Sequence, residues 1–305
     1  MRYSAYGHTL ESAVRLRGLT PSPRPADIRI LASRRPPVDD NTPARRSDRG
    51  VDGPWLQLRR SGDSLVLQFD GGGTFTLSSN GGVITVHLDD DGLTDTVTHL
   101  LIDQVLPLAL GQRGRLVIHG SGVVLDGRAV AFVGPGGAGK STLAGSLGRH
   151  GGIVIADDAL VVEALAEAIL VEPAYPAIRV WPDVLDMLRA GNAQPFIDAR
   201  AGKRLLGVNQ GLSFVSTRAR LERIYFVQPA PSDDIVIARL TDRDATIDLL
   251  SHTFVLDPSD RFRLARHFEQ ACEVVERTIV RTISFPRGRS CVDDVRREIC
   301  RDLTS

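Results

Sequence analysis

The sequence predicts an α/β chain: a small antiparallel β unit over residues 1–92, followed by a domain of interleaved strands and helices over residues 93–305. Three observations carry this. The first third reads as short alternating runs separated by Gly, Asn and Asp turns. The remainder alternates strand-like runs with helical periodicity, which indicates an α/β domain. Between them, an apolar strand runs straight into the glycine-rich stretch Gly134-Pro135-Gly136-Gly137-Ala138-Gly139-Lys140-Ser141.

In the β unit, strands are expected at 3–10, 27–32, 55–59, 64–69, 74–77 and 83–88, and the proline- and charge-rich stretch 33–53 reads as a mobile loop. Val97, Leu100, Leu101, Val105 and Leu108 fall on one face of a helix over 93–110, which is expected to bridge the two domains. Strands follow at 115–119, 122–126 and 129–133, with a hairpin turn at Asp126-Gly127, then a helix over 140–149 and a strand over 152–156. The C-terminal part reads as strands at 223–227 and 235–240 and helices at 244–251, 259–277 and 292–302.

Composition bounds the function. The chain has 305 residues, with 37 Lys+Arg against 37 Asp+Glu, so no net field recruits nucleic acid or an anionic membrane. No basic patch is interleaved with aromatics, and no apolar run approaches a bilayer span. Cys272, Cys291 and Cys300 show no metal-type spacing and read as reduced thiols of a cytoplasmic protein. His8, His87, His99, His150, His252 and His267 are equally scattered, and Trp55 and Trp181 read as packing residues.

The stretch 134–141 fits G-x-x-x-x-G-K-[ST], in which backbone N–H groups and a helix N-terminus cradle phosphates, the lysine reaches the outer phosphates and the hydroxyl meets Mg²⁺. Gly134 to Ser141 and the adjoining Thr142 are therefore the candidate nucleotide contacts, with ATP and Mg²⁺ the expected cofactors. Only Lys140 and Lys203 are lysine in a chain otherwise arginine-based. An ammonium on a flexible stem follows a phosphate in a way a planar guanidinium does not. Lys203, in Ala201-Gly202-Lys203-Arg204, is accordingly read either as a second phosphate contact on a mobile loop or as an ordinary solvated lysine. The apolar run Ile153-Val154-Ile155-Ala156 ends on Asp157-Asp158, two carboxylates that alternate in direction. In a parallel sheet, a strand beside the glycine-loop strand would deliver them to the phosphates. A helix cap or solvated turn is the alternative reading.

The order Ile118-His119-Gly120-Ser121-Gly122-Val123-Val124, hairpin Asp126-Gly127, glycine loop, then Ala156-Asp157-Asp158 resembles the bacterial HPr kinase/phosphorylase family. The resemblance covers roughly residues 115–160. It is similar in particular to the shorter HPr-kinase-like proteins found beside peptide-modification genes, including lasso-peptide clusters, whose N-termini carry a strand like Tyr3-Ser4-Ala5-Tyr6-Gly7-His8-Thr9-Leu10-Glu11-Ser12. The resemblance implies a P-loop kinase domain of the HPr kinase/PEP carboxykinase-like type that transfers ATP phosphate to a serine of a peptide or small protein. It implies Asp157 as base, Asp158 and Ser141 at Mg²⁺, and His119 supporting the aspartates; homo-oligomers also occur in the family. In the family's glutamate-isoleucine-arginine-glycine signature, the arginine is kept as Arg179, the glutamate position is Ala177, and the glycines are missing. Arg179 reads either as a phosphate contact or as an ion-paired arginine, and neither HPr as substrate nor the reverse reaction follows.

Two other readings stand beside the kinase: a nucleotide-binding regulatory or scaffold module, and a small-molecule kinase. On the first reading the N-terminal β unit would recognise the acceptor by adding a peptide strand to an exposed edge.

Overall fold

The computed structural model describes residues 1–35, 37, 45–47, 56–89, 92–188, 202–230, 234–286 and 291–304. The chain forms two compact units, Met1–Gly114 and Arg115–Ser305.

The first unit is a nine-stranded sheet in the spatial order Thr20–Pro21, Arg2–Ala5, His8–Ser12, Ile28–Ser33, Val83–His87, Gly73–Ser78, Ser64–Phe69, Leu56–Ser61, Arg45–Ser47. It is not wholly antiparallel, as expected, because Ile28–Ser33 runs parallel to both neighbours. The meander of hairpins lies in sequence between Ser33 and Val83, so the chain returns to Ile28–Ser33 only after laying down four strands, and returns in the same direction. Within the 33–53 stretch, Arg45–Ser47 forms a short strand, and most of the rest, like Trp55, lies outside the described residues.

The helical stretch belongs to this unit, so the division falls after it and not at 92/93. It starts at Asp95, where the Thr94 hydroxyl accepts from the Val97 N–H at 3.2 Å. It passes through a π turn, Leu101–Val105, immediately before Pro107. Proline has no N–H for the preceding turn, and the wider turn absorbs that gap. The helix packs tightly on the sheet: a Cβ at Gly72 would come within 2.3 Å of Leu100 Cδ1, and one at Gly81 within 2.2 Å of the Ala109 carbonyl oxygen.

The second unit is a mixed sheet between two helical layers. Its strand order is Leu116–Ile118, Leu160–Ala164, Ile169–Val171, Ala219–Pro229, Arg128–Val133, Gly120–Leu125, Ile153–Ala156. Ile279–Phe285 also runs parallel to Ala219–Pro229 and carries Val236–Arg239 on its far edge. Period-two alternation splits the core. Ala129, Ala131 and Val133 face helices Asp242–Ser251 and Arg261–Arg277, whereas Val130 and Phe132 face helices Lys140–Arg149 and Val292–Thr304. No helix among the described residues is long and apolar enough to cross a membrane.

One placement differs from the sequence reading. The aspartate strand Ile153–Ala156 is not the neighbour of the glycine-loop strand Arg128–Val133; Gly120–Leu125 lies between, antiparallel to both. Two antiparallel steps restore direction. The carboxyl ends of the outer strands and the amino end of the middle one therefore meet at one sheet edge.

Candidate functional site

That edge collects the candidate residues. The turn at Asp126-Gly127 takes left-handed backbone, φ 48° and 79°, closing the hairpin in register so that Gly120 opposes Val133. The chain then leaves the sheet at Gly134, φ 152°, where a Cβ would lie 2.7 Å from the Val227 carbonyl oxygen. Only glycine fits this close approach. Pro135, Gly136 and Gly137 are exposed, and Gly136 and Gly137 have open space on their Cα positions. Gly139 ends the loop in the left-handed region, and helix Lys140–Arg149 begins with no side-chain cap, which leaves its first N–H groups directed at the loop. Ala138, Ser141 and Thr142 are half-buried around this start.

The buried Lys140 ammonium donates to the Gly134 and Pro135 carbonyls, at 2.8 and 2.9 Å. Burial holds its pKa down at about 8. The charges of Asp158 and Asp157 oppose that shift, and Lys203 adds to it.

The two aspartates have different surroundings. Asp157 is fully buried. Its Oδ1 accepts from the Ser121 hydroxyl and its Oδ2 from the Arg179 backbone N–H at 2.8 Å, and Ser141 also hydrogen-bonds to it. Burial, then the charge of Asp158, push its pKa up to about 6 against the pull of those three bonds. Asp158 sits in the left-handed region at φ 61°, with its Oδ2 ion-paired to Arg179 Nη1 at 2.8 Å. Arg179 is itself buried, its guanidinium over the Tyr175 ring at 5.6 Å. Arg179 is thus ion-paired in this structure, and through its N–H and guanidinium it holds one aspartate with each.

His119 Nδ1 lies 2.8 Å from the Asp158 carbonyl oxygen, and the His119 backbone N–H donates to the His252 carbonyl at 2.7 Å. Burial, reinforced by Lys140, depresses its pKa to about 4. A neutral ring that donates from Nδ1 to a carbonyl carries its lone pair on Nε2. His119 therefore fixes the backbone of the aspartate turn rather than a carboxylate.

A two-stranded antiparallel pair, Ala177–Val180 with Arg204–Gly207, walls this side. At its open end Lys203 Nζ lies over the Trp181 ring at 5.7 Å, and its charge reaches both His119 and Lys140. Trp181 is 43% exposed, so it is not the packing residue expected from the sequence. It follows a strand whose inward positions are filled by Ile178 and Val180, and it caps helix Pro182–Met187 from outside. The loop 191–195 that precedes Lys203 lies outside the described residues.

Sequence reasoning missed Ser121 and Tyr175. Ser121 had a signal: a lone hydroxyl between two glycines on a buried strand. A Cβ at Gly122 would come within 2.8 Å of Ile155 Cγ2, and one at Gly120 within 2.7 Å of the Phe132 carbonyl oxygen, so only Ser121 brings a side chain there. Tyr175 had none.

The arrangement can bind an anion at the loop, neutralise it with Lys140, and present carboxylates beside it. Among the described residues no cluster of three or more His, Cys, Asp or Glu could hold a metal alone. The donor set suits Mg²⁺, which keeps waters and shares ligand phosphates with one or two protein oxygens; the half-buried Ser141 hydroxyl, oriented by its hydrogen bond with Asp157, offers one such oxygen.

No protein-family model matches the chain, and no curated protein matches it. Among solved structures it is similar to the HPr(Ser) kinase/phosphatase from Coxiella burnetii, with 62% of this chain and 99% of that one covered, 11% identity and a TM-score of 0.33.

Proposed function

We propose that the chain is an ATP-dependent kinase that transfers the terminal phosphate to a serine hydroxyl of a peptide or small protein. The observation that carries this is the meeting at one sheet edge of an uncapped glycine-loop helix, a buried lysine and two carboxylates in unlike environments. On this reading the loop N–H groups of 136–141 and the adjoining Thr142 hold the phosphates, and Lys140 exchanges its bonds to Gly134 and Pro135 for phosphate oxygens. Bound Mg²⁺ would supply charge neutralisation at the phosphates, and Ser141, oriented by Asp157, would hold it.

The expected roles of the aspartates are exchanged. Asp157 has no surface open to an acceptor and both its oxygens are engaged, so it serves the loop and orients the Ser141 hydroxyl that would meet the metal. Asp158 lies nearer the surface and is oriented by Arg179, so it takes the proton as the serine oxygen forms its bond to phosphorus and the bridging oxygen leaves with ADP. His119 positions this turn, and Lys203 moves from Trp181 to the terminal phosphate. The resemblance in sequence points to a ribosomally made precursor peptide of a lasso-type pathway as acceptor.

The test is transfer of radiolabelled terminal phosphate from ATP to precursor peptides encoded beside the gene, with phosphoserine located by mass spectrometry. Labelled peptide that disappears with its serine replaced by alanine supports the reading. Nucleotide binding without transfer to any peptide or small protein overturns it in favour of a regulatory module.

A further inference from the structure

The first unit carries a polar cleft that the kinase reading does not use. It encloses about 570 Å³ and is lined by Arg2, Arg29 and Arg113, with Glu11, Asp27 and Asn80 between them. The cleft is open and polar, which suits an extended segment and not an enclosed small molecule. The three arginines come from different elements: the first strand, the central strand Ile28–Ser33, and the end of the helical stretch.

The wall is built, not incidental. The turn after Gly73–Ser78 is closed on Asn80, whose side-chain oxygen accepts from the Ser78 hydroxyl and the Gly82 N–H, both at 2.9 Å. Both bonds go to the carbonyl oxygen, so the amide nitrogen keeps two donors. The Arg29 N–H donates to the Gly82 carbonyl at 3.0 Å, and Gly81 presses on the Arg113 stem, where a Cβ would come within 2.9 Å of Arg113 Cγ. One turn thus spaces Arg29 and Arg113.

The charges are unevenly satisfied. Glu11 lies 3.8 Å from Arg2. Asp27 accepts from the Thr9 N–H at 2.8 Å and faces His8 at 3.7 Å. Arg29 and Arg113 are exposed and have no carboxylate partner among the described residues. A helix C-terminus accounts for one basic residue at Arg113, but not for a second guanidinium across the cleft.

We propose that this cleft binds an acidic peptide segment, with Arg29 and Arg113 pairing its carboxylates and the Asn80 amide donating alongside. Forked guanidinium donors match carboxylates two bonds at a time. Glu11 and Asp27 in the same wall disfavour a densely charged polyphosphate or nucleic-acid backbone, and they suit a peptide that carries N–H donors as well as carboxylates. The described outer strands, Thr20–Pro21 and Arg45–Ser47, are two and three residues long, and one ends in proline; they offer little for strand addition. Recognition through this unit therefore runs through side chains.

The test uses the full chain and fluorescence anisotropy of a fluorescein-labelled peptide alternating glutamate with glycine, against its glutamine counterpart. The glutamate peptide should bind, and the combined variant Arg29→Glu/Arg113→Glu should weaken it by more than about tenfold, as loss of directly paired charges does. Arg29→Gln/Arg113→Gln, which spares the fold from new carboxylates, should weaken it in the same direction, and Arg17→Glu should not. Equal binding of the glutamine peptide, or unchanged affinity in both double variants with melting curves like the parent's, overturns the proposal. So does displacement by a single-stranded oligonucleotide or by inorganic phosphate at concentrations at which free glutamate is inert. Nucleotide binding is measured in parallel and does not enter the outcome.

Discussion

Among the described residues of the second unit, two buried arginines, Arg223 and Arg179, are each paired with an aspartate, and the pairs differ in what surrounds them. Arg223 pairs with Asp302 on the sheet face under the C-terminal helix, where Asp302 also accepts from the Tyr225 hydroxyl at 2.6 Å and meets Arg281 at 3.1 Å. Every group there is directed at Asp302, and burial with that carboxylate pushes the Tyr225 hydroxyl's pKa upward. Arg179 pairs with Asp158 at the glycine-loop edge, where the backbone is left-handed, a second carboxylate is buried alongside, and the other basic groups nearby are a lysine whose pKa is held down and a histidine held neutral. The first cluster closes on itself and ties the last helix to the sheet. The second stores unfavourable electrostatics beside an open loop, which is how sites that act on ligands differ from sites that hold a fold.

Removing charge from each cluster separates the two roles. Lys140→Met should abolish phosphate transfer, a loss on the order of 10³-fold or more, since the lysine neutralises the transferring group. Because burial already disfavours this ammonium, the melting temperature should hold or rise. Asp302→Asn should do the reverse: destabilise by about 3–5 kcal/mol, because Arg223 and Arg281 lose their shared carboxylate, and leave turnover per folded molecule near the parent's. Melting curves and transfer assays on both variants check this. Equal loss of stability in the two would erase the distinction.

Within the site, the aspartates should also part. Asn tolerates left-handed backbone, so Asp158→Asn keeps the turn while removing the proton acceptor. Transfer should fall about 10²–10³-fold with nucleotide affinity near the parent's. Asp157→Asn places a donor among the Ser121 hydroxyl, the Arg179 N–H and Ser141, so it should lower the melting temperature and weaken Mg²⁺-dependent nucleotide binding as well. If Asp157→Asn alone abolishes transfer with affinity intact, the roles read from the sequence stand and the exchange fails.

The proposed exchange rests on features that no stretch of sequence carries by itself. The glycine loop, the strand feeding it, the Asp126-Gly127 turn and the aspartate strand end are local patterns, and their elements lie where period and turn chemistry put them. Neighbours are not local. Gly120–Leu125 between the two outer strands, the parallel pairing of Ile28–Ser33, and the helical stretch as part of the first unit all come from contacts across long stretches of chain, which no window of residues encodes. The burial of Asp157 against the surface position of Asp158 is of the same kind. The strand period says that neighbours point opposite ways, but the antiparallel pair Ala177–Val180 and Arg204–Gly207, distant in sequence, brings Arg179 over them, its N–H to Asp157 and its guanidinium to Asp158.

Acid should act on the two clusters differently too. Asp157 accepts three hydrogen bonds only as a carboxylate, so with its pKa near 6 transfer should fall about tenfold per pH unit below that point. Global stability should not follow. The raised pKa of Asp157 favours the folded state below its ordinary value near 3.8, and that contribution is lost as pH rises through about 6. The lowered pKa of His119 contributes above 6.5 and is lost as pH falls through about 4. Between pH 4 and 6 these slopes oppose one another, so melting temperatures change little while transfer rates drop. Parallel pH series of rate and melting temperature check this; a melting curve that collapses together with the rate would assign the acid limb to unfolding.

The smallest expected effect tests the rim of the open cluster. Lys203→Arg keeps the charge but replaces a compact ammonium with a planar group, so transfer should drop by only about tenfold. The sharper readout is Trp181, whose ring Lys203 covers at 5.7 Å. With Trp55→Phe leaving one tryptophan, saturating nucleotide should change Trp181 emission as the ammonium leaves for phosphate, and Lys203→Met should remove that change without abolishing binding. Unaltered emission at a nucleotide concentration shown by calorimetry to saturate the site would keep Lys203 on the tryptophan and out of the phosphate contacts. Lys140 would then be the one lysine at the phosphates, and the open cluster would bind its anion with Lys140 and the loop.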